Sequence, residues 1–337
     1  MLQINSPDDA FNNQRESIEK LIGLLAKKRM ILFAGAGTSA QLDYPSWDRL
    51  LDEIEKKFGS PPTDISLEIK LDKPRFADIL LVHISNSGRM DEFLKFLERC
   101  FNPENKQKPN EFHETLINLG FSGIFTTNYD FVLEIALTSV INKERGSIPN
   151  ITSIDLCDER TITKMDLSEY LRSLSSRELQ KRILHIHGIY RNPEKLILSE
   201  SNYLKAYGEI TNDCKKVDAP LDSLHRKVLW SILVMYPVLF VGFSLSDPFF
   251  MPMLEIVRRD LKLDGDSHHY AILPSTDIEK AFEIKQKFCI ESIFYHYVKD
   301  SRDYSGLHHL IGAINHEMGR SGHAGDLLSL TEELMER

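Results

Sequence analysis

The sequence predicts an α/β protein built on a doubly wound, mostly parallel β-sheet, with a smaller helical module inserted after the first strand. Three observations carry this prediction. Short apolar runs recur along the chain, and each ends in glycine or a small polar residue. Stretches with helical spacing separate these runs. The stretch between the first two runs is too long for a simple crossover, so it forms a module beside the sheet. Continuous apolar runs suit strands covered on both faces, as parallel strands are.

Taken in order, residues 14–28 place Ile18, Leu21, Ile22 and Leu25 at helical spacing. Residues 30–33 form the first strand and run into Ala34-Gly35-Ala36-Gly37-Thr38-Ser39-Ala40. Residues 46–58 read as a helix capped by Ser46. The helical module covers approximately 60–120, broken at Pro61-Pro62 and between Pro103 and Pro109. The second strand, residues 123–127, leads into Asn128-Tyr129-Asp130 and a helix over 131–140. Approximately 141–180 is a polar insertion of strands and a short helix. Residues 182–187 form a strand ending at Gly188, and 222–236 a helix. Residues 237–244 are the clearest buried strand, and Gly242-Phe243-Ser244-Leu245 closes the run. Residues 269–273 add a strand and 276–288 a helix. The domain spans 14–316, and 317–337 form a C-terminal tail.

Composition narrows the partners. A chain of 337 residues, 42% hydrophobic and 27% charged, can bury a large globular core. The formal charge of −9 argues against a nucleic-acid or anionic-membrane surface. No apolar run approaches the roughly 18 residues that span a bilayer. Residues 1–11 are too polar for a secretory signal, so a cytoplasmic location is expected. Cys100, Cys157, Cys214 and Cys289 include no CxxC pair, which excludes a zinc ribbon and leaves four separate thiols.

The segment 35–40, GAGTSA, has the G-x-G-x-x-A spacing of a Rossmann-like dinucleotide turn. Glycines there allow close approach of a pyrophosphate, and the following helix N-terminus is expected to offer it unpaired N–H groups. A dehydrogenase also needs an acidic residue about 20 positions on, at the end of a second strand. Here Asp52, Glu53 and Glu55 fall on a helical pattern, so hydride transfer is disfavoured. Ligands of open α/β sheets sit beyond the carboxyl ends of the strands. Four strand ends here carry suitable groups: residues 35–39, 126–130, His187-Gly188 and 242–244. Each has a structural alternative. Asn128 and Asp130 could make a turn and a cap, His187 could be a satisfied core histidine, and 242–245 could be a plain turn. His185 and His187, two apart on a strand, are expected on one face, one in the cleft and the other packed beside it. With no third ligand near, no metal is expected.

Read together, these strand ends resemble the sirtuin pattern. Gly35-Ala36-Gly37-Thr38-Ser39 resembles its Gly-Ala-Gly-x-Ser turn, and Thr126-Thr127-Asn128-Tyr129-Asp130 its Thr-Gln-Asn-x-Asp segment. His187-Gly188 matches its His-Gly pair, and Gly242-Phe243-Ser244-Leu245 its Gly-Thr-Ser-Leu turn. The resemblance covers roughly residues 18–315. Deacylating sirtuins continue with Pro-Asp-Phe-Arg, where this chain has Pro45-Ser46-Trp47-Asp48. Thr127 replaces their glutamine, and their four-cysteine zinc module is absent from this sequence. These departures are similar to the sirtuin-like NADases of bacterial anti-phage defence.

That resemblance implies hydrolysis of NAD to nicotinamide and ADP-ribose, with NAD as substrate and no metal. It implies catalytic roles for His187 as base, Asn128 toward water or the ribose, and Asp130 in ordering the loop. Gly35, Ala36, Gly37, Thr38 and Ser39 would bind the pyrophosphate and adjoining ribose, Trp47 would wall the nicotinamide, and Thr127 would lie beside it. Gly242, Ser244 and Leu245 would meet the adenosine side. An off-state is needed to spare the host cell, which implies a homo-oligomer or a separately encoded activator such as a helicase-type ATPase or an Argonaute-like protein. Two alternatives stay open: an NAD-dependent protein deacylase, and a non-catalytic module that senses NAD or ADP-ribose.

Overall fold

The computed structural model describes residues 14–61, 65–146, 151–159, 162, 164–175, 182–208, 223–262, 268–298 and 301–320. Seven strands form one sheet: β1 (Ile31–Ala34), β2 (Gly123–Thr126), β3 (Thr152–Asp155), β4 (Arg182–His185), β5 (Val238–Val241), β6 (His269–Pro274) and β7 (Ile290–Tyr295). Their order is β3-β4-β2-β1-β5-β6-β7, and every described pairing is parallel. The doubly wound α/β fold class expected from the sequence is therefore the observed one.

Strands β1, β2 and β5 are buried at every position, as their uninterrupted apolar runs require. Alternate side chains feed two cores. On one face Phe33, Phe125, Leu184 and Phe240 pack with helices α9 (Lys164–Ser173), α11 (Leu224–Met235), α12 (Met251–Leu261) and α13 (Ile278–Phe288). On the other, Leu32, Ile124, Ile183 and Leu239 meet α1 (Gln14–Ala26), α7 (Glu111–Asn118), α8 (Val132–Arg145) and α14 (Ser305–Arg320). Each fully buried large aliphatic or aromatic side chain contributes roughly 1.5–3 kcal/mol.

A third core lies off the sheet. It joins α3 (Trp47–Phe58), α5 (Lys73–Asn86) and α6 (Met90–Phe101) through Leu50, Ile54, Phe76, Leu80, Phe93 and Leu97. The short α4 (Leu67–Leu71) leads into α5. Ser46 caps α3 as expected, its side chain accepting the Arg49 N–H. Four elements had no expectation: β7, helix α10 (Glu200–Tyr207), α12 and α14. Strand β7 reads Ile-Glu-Ser-Ile-Phe-Tyr, a pattern of neither period, and its place on β6 comes from the sheet. The tail expected from 317 opens within α14, and its remainder, 321–337, lies outside the described residues, as do Cys214 and residues 1–11. Among the described residues no helix is long and apolar enough to cross a membrane.

The order of strands reverses beside β1: chain segments after it fill one side of the sheet, then β5 begins the other. At that switch point the turns after β1 and β5 touch backbone to backbone. Gly35 N–H donates to Val241 O at 3.0 Å and Gly37 N–H to Gly242 O at 2.8 Å. A Cβ on Gly37 would stand 2.7 Å from the Gly242 Cα, and one on Gly242, whose φ is +65°, would stand 2.5 Å from the Thr38 nitrogen. Gly242→Ala is expected to destabilise the protein by about 2–4 kcal/mol through overpacking and left-handed strain. Gly312→Ala, at an open helical position with no atom within 4 Å, is expected to be neutral or to stabilise. Urea midpoints test the contrast, and equal midpoints would reject the close approach.

Candidate active site

The two glycine turns floor a cleft of about 560 Å³. It lies beyond the carboxyl ends of β1, β2 and β5, where ligands of doubly wound sheets bind, and its size suits a nucleotide. Of the residues expected at a site, Ala36, Gly37, Ser39, Trp47, Thr127, Asn128, Asp130, His187, Gly242 and Ser244 line it. Gly35, Thr38 and Leu245 do not. Gly35 is pressed against Gly242, Thr38 turns inward to donate from Oγ1 to Gly35 O at 2.8 Å, and Leu245, at φ +50°, packs into the core.

The expectation of a helix N-terminus with free N–H groups is also corrected. The helix after the turn, α2 (Gly37–Ala40), is a single turn. The N–H groups of Gly37, Thr38, Ser39 and Ala40 are already donated to Gly242 O, Gly35 O and Ala36 O. The tight turn uses its own amides to hold its shape.

Asn128 straps the turn from the β2 side. Its N–H donates to Thr126 Oγ1 at 2.9 Å, and its Nδ2 lies 3.1 Å from Gly35 O, 3.2 Å from Thr38 Oγ1 and 3.1 Å from Ser39 Oγ. Its Oδ1 is buried without a partner among the described residues, a condition that favours filling by a hydroxyl or water donor. Asp130 accepts from Ser39 Oγ at 3.1 Å and from Val132 N–H at 3.0 Å, so one carboxylate caps α8 and steadies the glycine turn. Burial raises its pKa to about 6, against the lowering effect of those two bonds.

His187 sits on the opposite wall with its ring edge-on to Tyr203 at 5.2 Å. Its Nε2 lies 2.8 Å from the Tyr207 hydroxyl, which leaves Nδ1 as the other protonation site. Burial lowers its pKa to about 3, so the imidazole is neutral. The expected common face for His185 and His187 does not hold. Strand β4 ends at His185, which points toward α8, whereas His187 turns to the aromatic residues of α10. Residues 186 and 187 form a bend past the strand end, so the two-residue alternation stops applying between the two histidines.

Aromatic rings build the rest of the wall. Tyr203 stacks on Phe249 at 4.5 Å and lies 6.0 Å from Trp47. The Tyr203 hydroxyl donates to Asp247 Oδ2 at 2.7 Å, and Asp247 accepts the N–H groups of Phe249 and Phe250. Trp47 Nε1 is buried without a partner among the described residues. Tyr203, Tyr207 and Asp247 were not expected at the site. The tyrosines come from an eight-residue helix that carries no motif, and only packing brings them to His187. Among the described residues no group of three His, Cys, Asp or Glu side chains is placed to hold a metal ion.

The model of the SIR2-like domain family matches residues 122–293, which contain β2 to most of β7 and hence Asn128, Asp130, His187 and the Gly242 turn. Defense-associated sirtuin 2 of Bacillus subtilis is 26% identical over 271 residues, covering 79% of this chain and 22% of that protein. The NAD(+) hydrolase ThsA of Bacillus cereus (strain MSX-D12) is 25% identical over 250 residues, covering 72% of this chain and 42% of that protein. The chain thus spans less than half the length of either relative. A solved Sir2 homologue in complex with ADP ribose aligns over 91% of this chain and 99% of its own at 12% identity, with a TM-score of 0.43. With the family model covering half of its length, the chain belongs to the SIR2-like domain family.

Proposed function

We infer that this protein hydrolyses NAD at the nicotinamide–ribose bond, releasing nicotinamide and ADP-ribose, and that it depletes NAD in the cytoplasm as an anti-phage defence. One observation carries the chemistry: Asn128, Asp130 and His187, from distant stretches, line one cleft with the glycine turn. The names of the relatives, an NAD(+) hydrolase and a defense-associated sirtuin, support the substrate and the biological setting.

Nicotinamide leaves NAD as a neutral ring, because the electron pair of the breaking bond cancels its positive charge. No acid is needed, unlike in paired-carboxylate glycosidases. The ribose C1′ becomes oxocarbenium-like, and a water adds to it with loss of one proton. Asn128 Oδ1, the buried acceptor without a partner, holds that water or a ribose hydroxyl. His187 takes the proton at Nδ1, with its Nε2–H donated to Tyr207. A low pKa does not disqualify it, since water adding to an oxocarbenium centre becomes strongly acidic and a weak neutral base suffices. Ala36, Gly37 and Ser39 floor the diphosphate and adjoining ribose, with Gly35 and Thr38 shaping them from behind. Trp47 and Thr127 flank the nicotinamide. Gly242 and Ser244 face the adenosine side, and Leu245 anchors their turn. Asp130 keeps the Asn128 loop in place. Control by self-association or by a separately encoded activator, such as a helicase-type ATPase or an Argonaute-like protein, fits the need for an off-state.

Chromatography of NAD incubated with the protein tests this directly, with nicotinamide and ADP-ribose expected in the absence of any acylated peptide. Strict dependence on such a peptide would favour a deacylase, and tight binding without nicotinamide release would favour a sensing module. His187→Ala and Asn128→Ala should each lower kcat by about 10²–10⁴-fold with the fold retained. Parent rates in either would reject the assigned roles. The pH profile separates the buried groups, because kcat/KM reports pKa values of the free enzyme. Asp130 is a carboxylate above about 6 and loses an acceptor as pH falls through that value, so kcat/KM should decline below about pH 6. Asp130→Asn should flatten that decline, and an unchanged acid limb in this variant would remove Asp130 as its source.

A further inference from the structure

Directly behind Asn128, on the side of β4 away from His187, lies a buried pair of ionisable residues with no role in the reaction so far. The ring of His185 is wholly buried. Its Nδ1 is 2.8 Å from the Asn128 carbonyl oxygen and its Nε2 is 2.7 Å from Glu134 Oε1. A carbonyl oxygen only accepts hydrogen bonds, so Nδ1 must carry a proton. Against a carboxylate form of Glu134, which also only accepts, Nε2 carries a proton as well and His185 is then an imidazolium. Its energetics agree. Burial by itself lowers the His185 pKa, yet the charge and hydrogen bond of Glu134, the bond to the Asn128 carbonyl and the Asp130 charge together outweigh it, and the pKa is raised. Glu134 also accepts from Ser153 of β3 at 2.6 Å.

We propose that Glu134 and His185 are a positioning pair for the reaction inferred above, acting through Asn128. Thr126 Oγ1 holds the Asn128 N–H and the imidazolium holds its carbonyl, so the peptide on both sides of this residue is clamped. With the backbone fixed, the carboxamide straps the glycine turn with Nδ2 while Oδ1 stays unpartnered in a residue that lines the cleft. Glu134 stands in the first turn of α8, the helix that Asp130 caps, so one rigid element carries both anchors of the loop. Stability alone is a poor reason for such a pair, because well-packed apolar residues are commonly as stabilising as buried ions. What the ions add is direction: two charge-assisted bonds admit one ring orientation and therefore one carbonyl position.

The test uses the full chain and two readouts. First, ¹⁵N spectra of histidine-labelled protein at pH 7.5, with the signal assigned by its loss in His185→Gln, should show both ring nitrogens of His185 protonated. In Glu134→Gln the ring should become a neutral tautomer. Second, Glu134→Gln should lower kcat for NAD cleavage by about 10- to 100-fold with KM changed by less than about threefold, the effect of a displaced reacting group on a substrate that still binds. A neutral His185 ring in the parent overturns the proposal without reference to activity, even if the variant fails to fold. A folded Glu134→Gln with parent kcat overturns it while leaving NAD hydrolysis standing. A parent that shows the doubly protonated ring and cleaves no NAD overturns the reaction itself, and the positioning role falls with it.

Discussion

The site depends on one contact: the backbone of the turn after β1 lies against the backbone of the turn after β5, with no side chain between them. Two strands adjacent in the sheet but separated by some two hundred residues of chain would ordinarily keep their connections apart. Here glycine at 35, 37 and 242 lets them meet, and the bonds from Gly35 to Val241 and from Gly37 to Gly242 close the junction. The junction lies at the switch point, so the crevice opens beside it and not elsewhere along the sheet edge. Asn128 then ties the third strand end to the same turn through its carboxamide.

This close packing has an electrostatic consequence. The turn consumes most of its own N–H groups, so the cleft floor offers fewer free backbone donors than a longer helix N-terminus would. Recognition passes instead to side chains, and those beside the cleft are arranged to carry little uncompensated charge. His187 is neutral because it is buried. Asp130 and Asp247 are engaged by backbone N–H and hydroxyl donors, and His185 is matched by Glu134. A positively charged nicotinamide and a developing oxocarbenium centre would meet aromatic faces and oriented dipoles, which cost no reorganisation as the charge moves.

The helical module contributes by packing rather than by chemistry. Its core of leucines, isoleucines and phenylalanines holds α3 over the cleft, and α3 brings Trp47 to the wall built by Tyr203. Lys73, 5.9 Å from the Trp47 ring and paired with Asp48 at 2.8 Å, lines that edge of the cleft. An exposed pair of this kind adds little stability, so the buried module core sets the position of the wall.

Much of this was legible in the residues. Apolar runs ending in glycine or a small polar residue located β1, β2, β4 and β5, because strands covered on both faces are mostly apolar. Asn128, Asp130, His187 and Gly242 stood out because four strand ends carried small or polar groups together, although each by itself had a structural use. Other features were not legible. Strand β7 has a mixed pattern that only pairing with β6 turns into a strand. Tyr207 carries no local signal and becomes relevant only where its hydroxyl meets His187. His185 and His187 were expected on one face by spacing, yet the bend at 186 and 187 sends one ring to Glu134 and the other to the cleft. The sequence by itself determined most of the elements and the chemical types at their ends, since both follow from local composition and period. The tertiary structure alone decided which of those groups converge, which amides are already spent and which histidine meets Glu134, because these depend on distances of a few ångströms between segments far apart in the chain.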